Sequence, residues 1–387
     1  MRNKTDGIER YSRQIRFAPI GISGQQRLGE ASILVVGSGA LGASLSQHMV
    51  RAGVGNIRLV DRDYVELSNL HRQTLFDEED ARSALPKSVA AVSKLRRMNG
   101  AVRMEALVAD VNKRNVEALL MGVDLVLDGT DNTETRLLLS DACFTHGIPL
   151  IYGGVAGSGG MSAMFVPGDN CCLRCLLGER EPTEDQEAAP TCETLGVISP
   201  AVELVAALQA AEALKWLTGN RNALRRTWLT ADVWEFSLKE WTLPPGRESC
   251  PFCGWSEMED TTVVDRFDAQ NGNLRLQAGL VPDYAPPSSE EGYPVVLCGR
   301  DTVQVTLNQA FALPEWKARL EACGCEITAN NGYLLRASTP EGERIIVFQD
   351  GRALIQGAGE MDRAVEVCRL YLNDHERSHP IAPKTGF

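Results

Sequence analysis

The fold is decided by the stretch that begins with SILVVGSGALG at residues 32–42. Its opening apolar run predicts a buried strand, and the glycines that follow predict a tight turn. The apolar-periodic residues from there to Gly53 predict a helix, and a second apolar strand runs from Asn56 to Asp61. The stretch therefore predicts one βαβ unit whose glycine-rich turn joins the first strand to the helix.

The same alternation continues along the chain. We expect strands at Val123–Asp128 and Pro149–Tyr152 with a helix at Thr133–Phe144 between them, and a long apolar helix at Pro200–Leu217. Strands that alternate with helices pair in parallel and are covered on both sides. We predict an α/β fold, a Rossmann-like, mostly parallel sheet with helices on both faces. Functional groups should then lie at the carboxyl ends of the strands.

The chain divides into two predicted domains. Residues 1–255 form the α/β domain, and residues 256–291 are expected to be a linker that contains APPSSEE at 285–291. Residues 292–387 predict a small α+β domain. Its predicted element order is strand, strand, helix, strand, strand, helix. A module of this size without a catalytic signature is interpreted as a docking or dimerisation domain.

The composition excludes several classes of function. The 387 residues carry 39 Lys and Arg against 51 Asp and Glu, a net charge of −12, so a nucleic-acid partner or an anionic membrane is not expected. No stretch reaches the roughly 18 consecutive apolar residues of a membrane helix. We expect a cytoplasmic protein, where the 11 cysteines serve as thiols, metal ligands or catalytic groups rather than as disulfides.

The glycine-rich turn predicts a nucleotide site. Glycines at Gly37, Gly39 and Gly42, with Ala40, let backbone N–H groups approach a phosphate at the start of the helix. Asp61 ends the next strand, where an acid takes ribose hydroxyls. This motif alone is equally compatible with a dinucleotide dehydrogenase and with tight packing of helix on strand.

Charged residues after Asp61 favour chemistry at a triphosphate. A departing pyrophosphate needs positive charge, and Mg²⁺ needs a carboxylate. Arg72 and Lys87 supply the first, and Asp131, at the end of a predicted strand, supplies the second. A dinucleotide site would need few such positive charges. Each of these residues by itself is also typical of a solvated surface.

Two Cys-x-x-Cys pairs predict a zinc site. Cys172 and Cys175 form one pair, and Cys250 and Cys253 form the other. Four thiolates can close a tetrahedral structural site around Zn²⁺, whereas one pair alone would be compatible with a redox dithiol. Cys171 adjoins the first pair, but only Cys172 gives the required spacing. The predicted metal would hold the segment near Cys250 against the α/β domain.

Five segments in order resemble the MoeB/ThiF family, ubiquitin-activating-like adenylyltransferases of sulfur-carrier proteins. The resemblance covers residues 8 to 255 and rests on RYSRQ (10–14), GSGALG (37–42), AGVGN (52–56), SNLHRQ (68–73) and DGTDN (128–132). It implies that Asp61 holds the ribose of ATP, that Arg72 and Lys87 hold the phosphates, and that Asp131 binds Mg²⁺. Arg13 would reach across a homodimer into the site of the partner subunit. The implied nucleotide site further includes Asp63, Ser68, Asn69 and Asn132.

The resemblance implies ATP-dependent adenylation of a ubiquitin-like sulfur carrier with a Gly-Gly C-terminus. Sulfur would come from a persulfide donor or pass through Cys192, which some relatives use as an acyl acceptor. The chain departs from the family at ALPK (84–87), where relatives often have a glycine before the lysine. Cys298 lacks the backbone cradle of a persulfide site and is interpreted as an inert strand cysteine.

Two other functions remain open from the sequence. An NAD-dependent oxidoreductase with a zinc-bearing lobe would bind NAD tightly and have no use for Arg13. A non-catalytic scaffold of the same fold would bind partners without turnover, although Arg72, Lys87 and Asp131 argue against it. The sequence does not identify the carrier, which could serve molybdenum-cofactor, thiamine, thiolated-tRNA or secondary-metabolite synthesis.

Overall fold

The computed structural model describes residues 9–178, 195–254, 295–297, 302–306 and 311–372. Within them the chain forms two sheets. We call residues 9–254 the N-terminal unit and residues 295–372 the C-terminal unit. Cys192, Cys298 and the predicted linker at 256–291 lie outside the described residues.

The N-terminal unit contains eight strands, nine helices and two 3-10 turns in its described residues. Its strands are β1 (Ser32–Val36), β2 (Asn56–Asp61), β3 (Arg103–Val108), β4 (Leu125–Asp128), β5 (Leu150–Ala156), β6 (Gly159–Phe165), β7 (Thr227–Asp232) and β8 (Ser237–Thr242). Its helices are α1 (Ser12–Ile15), α2 (Gly21–Glu30), α3 (Ala40–Ala52), α4 (Glu78–Arg82), α5 (Lys87–Met98), α6 (Val116–Leu120), α7 (Thr133–His146), α8 (Leu173–Leu177) and α9 (Ser199–Leu217). The 3-10 turns are Leu67–Asn69 and Arg221–Ala223.

The sheet of the N-terminal unit is mostly parallel. Its strand order is β3-β2-β1-β4-β5-β6-β7-β8. The first five strands pair in parallel, and β6, β7 and β8 continue the sheet in antiparallel register. The predicted fold class is thereby confirmed. The strand predicted at Pro149–Tyr152 continues to Ala156 because its later residues pair with β6.

Both faces of this sheet are buried, which explains the continuous apolar character of β1. Ile33 and Val35 belong to one core cluster, together with apolar residues of α3, α5 and α9. Leu34 and Val36 belong to a second cluster on the other face, with residues of α6 and α7. Successive side chains of a strand point to opposite faces, so a strand that is covered by helices on both sides has no polar face.

The C-terminal unit is an antiparallel sheet with two helices. Its described elements are β9 (Val295–Leu297), β10 (Thr302–Thr306), α10 (Leu313–Ala322), β11 (Glu326–Asn330), β12 (Leu334–Ser338), β13 (Arg344–Phe348), β14 (Arg352–Gln356) and α11 (Met361–Leu372). The strand order is β11-β12-β13-β14-β10-β9. The prediction of two strands between the helices was wrong, because four strands lie there. Each has five residues, and short turns at 331–333, 339–343 and 349–351 separate them.

Strand β13 connects the two units. Ile345 and Val347 pack against the helices of the C-terminal unit. Ile346 and Phe348 lie on the opposite face, where they join residues of the N-terminal unit. We call this second group the interunit cluster; its buried members are Tyr64, Ala84, Leu334, Ile346, Phe348 and Leu354. The sheet of the C-terminal unit is therefore buried on both faces at this strand.

None of the helices in the described part of the chain combines the length and the apolar composition that a membrane span requires.

Candidate nucleotide site and cysteine cluster

A cleft that is partly open to solvent lies at the carboxyl ends of β1, β2 and β4. This is the edge of a parallel sheet where ligands of doubly wound folds bind. The predicted site residues that line it are Gly37, Gly39, Ala40, Asp61, Asp63, Arg72, Lys87, Asp131 and Asn132. The fold thus gathers residues that span almost 100 positions of sequence into one cleft.

The glycines of the turn are required by close backbone contacts. Gly37 has φ +86°, and a Cβ on it would lie 2.6 Å from the carbonyl oxygen of Gly129. A Cβ on Gly42 would lie 1.7 Å from the carbonyl oxygen of Gly37. Gly39 is the N-cap of α3, so the turn delivers backbone N–H groups to the cleft. Gly42 itself serves this packing rather than the cleft wall.

Asp61 ends β2 with its carboxylate held by the backbone. Oδ2 accepts a hydrogen bond from the Ser38 backbone N–H (2.5 Å), and Oδ1 accepts one from the Asp63 backbone N–H (2.7 Å). The side chain is only 9% exposed. Burial raises the pKa of Asp61, and the nearby charge of Lys87 opposes that shift. The carboxylate keeps lone pairs for hydroxyl donors such as those of a ribose.

Lys87 enters the cleft as the first residue of α5 and is paired with Asp63. Its Nζ lies 2.9 Å from Asp63 Oδ2, and its backbone N–H donates to the Asp63 carbonyl oxygen at 2.9 Å. Lys87 is 3% exposed. A buried ammonium needs such a partner because its desolvation is costly. The ion pair therefore sets the position of this cation in the cleft wall.

Arg72 also lines the cleft and follows the 3-10 turn at Leu67–Asn69. Its guanidinium donates to the carbonyl oxygen of Ser68 at 3.1 Å, and the side chain is half-buried. Arg62 adds a further cation and forms an ion pair with Asp110 at 3.2 Å. Several cations around one cleft are suited to a polyphosphate, whose charge they balance.

The segment after β4 brings two more predicted residues to the rim. Asp131 is exposed and lines the cleft, and the Asn132 side chain accepts from the Thr135 backbone N–H at 2.8 Å as the N-cap of α7. Behind them Asp128 is buried, and burial raises the pKa of its carboxyl, a shift that Arg136 at 3.3 Å opposes. Asp131 is thus the accessible carboxylate here and the one suited to a hard cation.

Some predicted residues do not reach this cleft. Ser68 lines a separate groove between the two units, and Asn69 is buried at the end of the 3-10 turn. Arg13 is exposed on α1 and lines no part of the cleft of its own chain. Cys192 lies outside the described residues.

Among the cleft residues missing from the predicted site are the polar side chains of Arg62, Gln73, Asp110 and Arg136. Gln73 is buried, and its Oε1 has no hydrogen-bond partner in the described structure, so it can accept from a ligand. Arg62 adjoins Asp61 and Gln73 adjoins Arg72 in the sequence. Both could therefore have been predicted as neighbours of site residues. Asp110 follows β3, an edge strand that the periodicity did not reveal.

The two cysteine pairs meet in space. The Sγ atoms of Cys172, Cys175, Cys250 and Cys253 all lie within 4.8 Å of one another. The distances are 3.7 Å between Cys172 and Cys250 and 3.5 Å between Cys175 and Cys253. A tetrahedron with Zn–S bonds of about 2.3 Å has edges of about 3.8 Å, so the cluster could hold zinc. Cys171 is buried beside the cluster but does not belong to it.

Comparison with known proteins agrees with this geometry. The ThiF family matches residues 11–252. The chain is 37% identical over 371 residues to the sulfur carrier protein ThiS adenylyltransferase of Bacillus subtilis, a match that covers 94% of this chain and 99% of the relative. It is 38% identical to the sulfur carrier protein adenylyltransferase of Thermus thermophilus, over 68% of this chain and 97% of that relative.

A solved structure shares the fold. MccB of E. coli aligns with a TM-score of 0.55 and 20% sequence identity, over 67% of this chain and 75% of that chain. The family match covers the glycine-rich turn, the cleft and three of the four clustered cysteines, and ends one residue before Cys253. The match to the Bacillus subtilis relative also extends over the C-terminal unit. On these grounds the chain belongs to the ThiF family.

Proposed function

We propose that this protein uses ATP to adenylate the C-terminal glycine of a ubiquitin-like sulfur-carrier protein and releases pyrophosphate. The observation that carries the proposal is the cleft itself, where the glycine-rich turn, Asp61, the Lys87–Asp63 pair, Arg72 and Asp131 surround one space. The names of its relatives describe the same activity.

In the proposed reaction a carboxylate oxygen of the carrier attacks the α-phosphorus of ATP. A new P–O bond forms while the bond from the α-phosphorus to the bridging oxygen breaks, and that electron pair leaves with pyrophosphate. A carboxylate is already ionised near neutral pH, so no general base is needed. Both reactants are anions, and Arg72 and Lys87 lower their repulsion and stabilise the leaving group.

The other predicted residues have roles around the same bound nucleotide or in the cysteine cluster. Asp61 would hold the ribose, and Asn132 would lie beside the nucleotide. Asp131 would bind Mg²⁺, which neutralises phosphate charge when it is present. The partner subunit's Arg13 would complete the site in a homodimer, which accounts for its absence from the cleft of its own chain. Zinc would occupy the four-cysteine cluster as a structural ion.

The sulfur-transfer step follows adenylation. A persulfide donor would attack the carrier's carbonyl carbon and displace AMP, or the Cys192 thiolate would do so and form a thioester. Residues 1–255 would form the adenylyltransferase domain, with 256–291 as a linker and 292–387 as a second domain.

ATP–pyrophosphate exchange tests the proposal. Purified protein with Mg²⁺ is assayed with a panel of carriers that end in Gly-Gly, alongside the variants Asp131→Ala and Glu134→Ala. Both substitutions remove an exposed acid from the same segment, but only Asp131 lines the cleft. Exchange with one carrier should fall by about 100-fold or more in Asp131→Ala, since a metal ligand is lost, and should be unchanged in Glu134→Ala.

Two outcomes would contradict the proposal. Tight binding of NAD without any pyrophosphate exchange would identify a dinucleotide enzyme. Equal exchange in Asp131→Ala and the wild type would remove Asp131 from the site.

A further inference from the structure

The C-terminal unit contacts the two segments that carry the Lys87–Asp63 pair. On the first segment, an Arg352 N–H donates to the carbonyl oxygen of Arg62 at 3.0 Å. On the second, Asn331 Nδ2 donates to the carbonyl oxygens of Ser83 (2.9 Å) and Ala84 (3.2 Å). Arg352 is 4% exposed, so its contact is buried.

Apolar packing reinforces these contacts. Tyr64 and Ala84, one from each segment, are buried in the interunit cluster against Ile346 and Phe348. The Tyr64 hydroxyl also lies 3.3 Å from Oε1 of Gln356, at the end of β14. The C-terminal unit therefore packs against both segments on the side that faces away from the cleft.

The two segments are joined to each other next to the cleft. Tyr64 and Pro86 form an antiparallel bridge, and the Val65 N–H donates to the Leu85 carbonyl oxygen at 2.9 Å. The Lys87 N–H then donates to the Asp63 carbonyl oxygen. A shift of the turn at 83–84 is thereby transmitted to Lys87 through three residues of paired backbone.

That turn has an unfavourable conformation of its own. Ala84 has φ +46°, a left-handed conformation that costs a residue with a Cβ about 1 kcal/mol or more. Such conformations persist where the surroundings hold them. Here Ala84 is 0% exposed, its carbonyl oxygen accepts from Asn331, and its Cβ is enclosed by the interunit cluster.

We propose that the C-terminal unit positions the nucleotide-phosphate cation of this enzyme, with Asn331 and Arg352 as positioning residues. They hold the turn at 83–84 and the Arg62 backbone so that Lys87 and Asp63 keep their places in the cleft wall. The inference rests on the proposed role of Lys87 at the phosphates of ATP.

Asn331→Asp is the sharpest test. Oδ1 of Asn331 accepts from the backbone N–H groups of Tyr333 and Leu334, a role that an aspartate keeps. Nδ2 becomes an oxygen that faces two carbonyl oxygens, so the interunit hydrogen bonds are replaced by repulsion while the contacts of Oδ1 are kept. Asn330→Asp is the matched control, because it adds the same charge at the neighbouring, exposed position.

Calorimetric titration of the full-length proteins with Mg-ATP provides the readout. We expect Asn331→Asp to weaken ATP binding by about 10-fold, as small displacements of a binding group do, and Asn330→Asp to match the wild type. In the Lys87→Ala background the further effect of Asn331→Asp should fall below about 2-fold, because the two substitutions then remove the same interaction.

Several results would overturn the inference. One is ATP binding in Asn331→Asp that equals that of the wild type; another is an equal loss with and without Lys87, which would indicate a general structural role. If Asn331→Asp does not fold, Arg352→Lys is measured instead, with and without Lys87→Ala. The lysine keeps the charge but is too short to reach the Arg62 carbonyl oxygen. Wild-type protein that fails to bind ATP would overturn the proposed function together with the inference.

Discussion

Asp61 shows how a single carboxylate can be prepared for a ligand by its backbone surroundings. Two backbone N–H groups hold its oxygens, while burial raises its pKa above the ordinary value of 3.8. The charges of Lys87 and Asp63 act on this pKa in opposite directions, and Asp61 also interacts with the charge of Arg62. Such a carboxylate takes up a proton and loses its negative charge at a higher pH than an exposed aspartate does.

The resulting prediction concerns the pH dependence of ATP binding. As pH falls from neutral through the raised pKa, Asp61 takes up a proton and loses its acceptor strength, so ATP affinity should decrease more steeply in the wild type than in Asp61→Asn, and at a higher pH than an ordinary aspartate would give. At neutral pH the substitution should weaken binding by about 10-fold or more, the value of a hydrogen bond to a charged group. Titration calorimetry across this pH range measures both effects.

Asp124→Asn serves as the control for this prediction. Asp124 also accepts from a backbone N–H, that of Ser32 at 2.8 Å, but it lies at the opposite end of the sheet. Its variant should follow the wild-type curve. An Asp61→Asn curve parallel to that of the wild type would show that another group titrates.

Residues of the site were predictable where the chain is locally regular. Gly37, Gly39 and Asp61 follow from one βαβ pattern, because the turn and the next strand are neighbours in sequence. Asp110 was not predictable in this way, because the edge strand before it carries polar residues that weaken the apolar pattern.

At the scale of elements, the cysteine cluster joins a short helix to a distant segment. Cys172 and Cys175 lie at the start of α8, whereas Cys250 and Cys253 lie beyond β8. Two pairs of thiols brought together from segments so far apart can be held by one metal ion, whose binding energy then contributes to folding.

Metal content and stability should separate Cys172 from Cys171. We expect the wild type to bind one zinc ion per chain, and Cys172→Ala to lose most of that zinc and to unfold at a lower temperature, because three thiolates leave the site open. Cys171→Ala should keep its zinc, since Cys171 is buried outside the cluster. Elemental analysis and thermal unfolding with and without a chelator measure these effects, and zinc loss in Cys171→Ala but not in Cys172→Ala would contradict the assignment.

The elements themselves were predicted unevenly. In the N-terminal unit, β2 has its expected bounds, and α9 begins one residue before its predicted start at Pro200 and ends at Leu217 as expected. In the C-terminal unit two of four strands between the helices were missed. Strands of five residues separated by tight turns give periodic signals too short to separate from one another.

At the scale of the whole molecule, the interunit cluster joins the two units, and β13 contributes the residues of one of its faces to it. Ile346 and Phe348 lie in the interunit cluster, whereas Ile345 and Val347 lie in the core of the C-terminal unit alone. Neighbouring residues of this strand therefore belong to two different interfaces, and substitutions at them test each interface separately.

Phe348→Ala and Val347→Ala should produce different unfolding behaviour. We expect the wild type to unfold in a single transition because the interunit cluster links the units. Phe348→Ala removes about 3–5 kcal/mol of packing from that cluster and should separate the unfolding into two transitions. Val347→Ala should lower the stability of the C-terminal unit and preserve the coupling. Differential scanning calorimetry distinguishes these outcomes, and a single transition in Phe348→Ala would show that the coupling has another source.

The sequence by itself determined the local features of this protein: the βαβ unit, the glycine turn, the acid that ends β2 and two pairs of thiols with metal spacing. Each is encoded by residues a few positions apart, because periodicity and turn geometry act over short distances. Only the tertiary structure decided that Asn331 contacts the turn before Lys87, and that one face of β13 packs against Tyr64 and Ala84 in the segments that carry Asp63 and Lys87. Contacts across about 250 residues depend on which buried surfaces fit each other, and no local pattern records that.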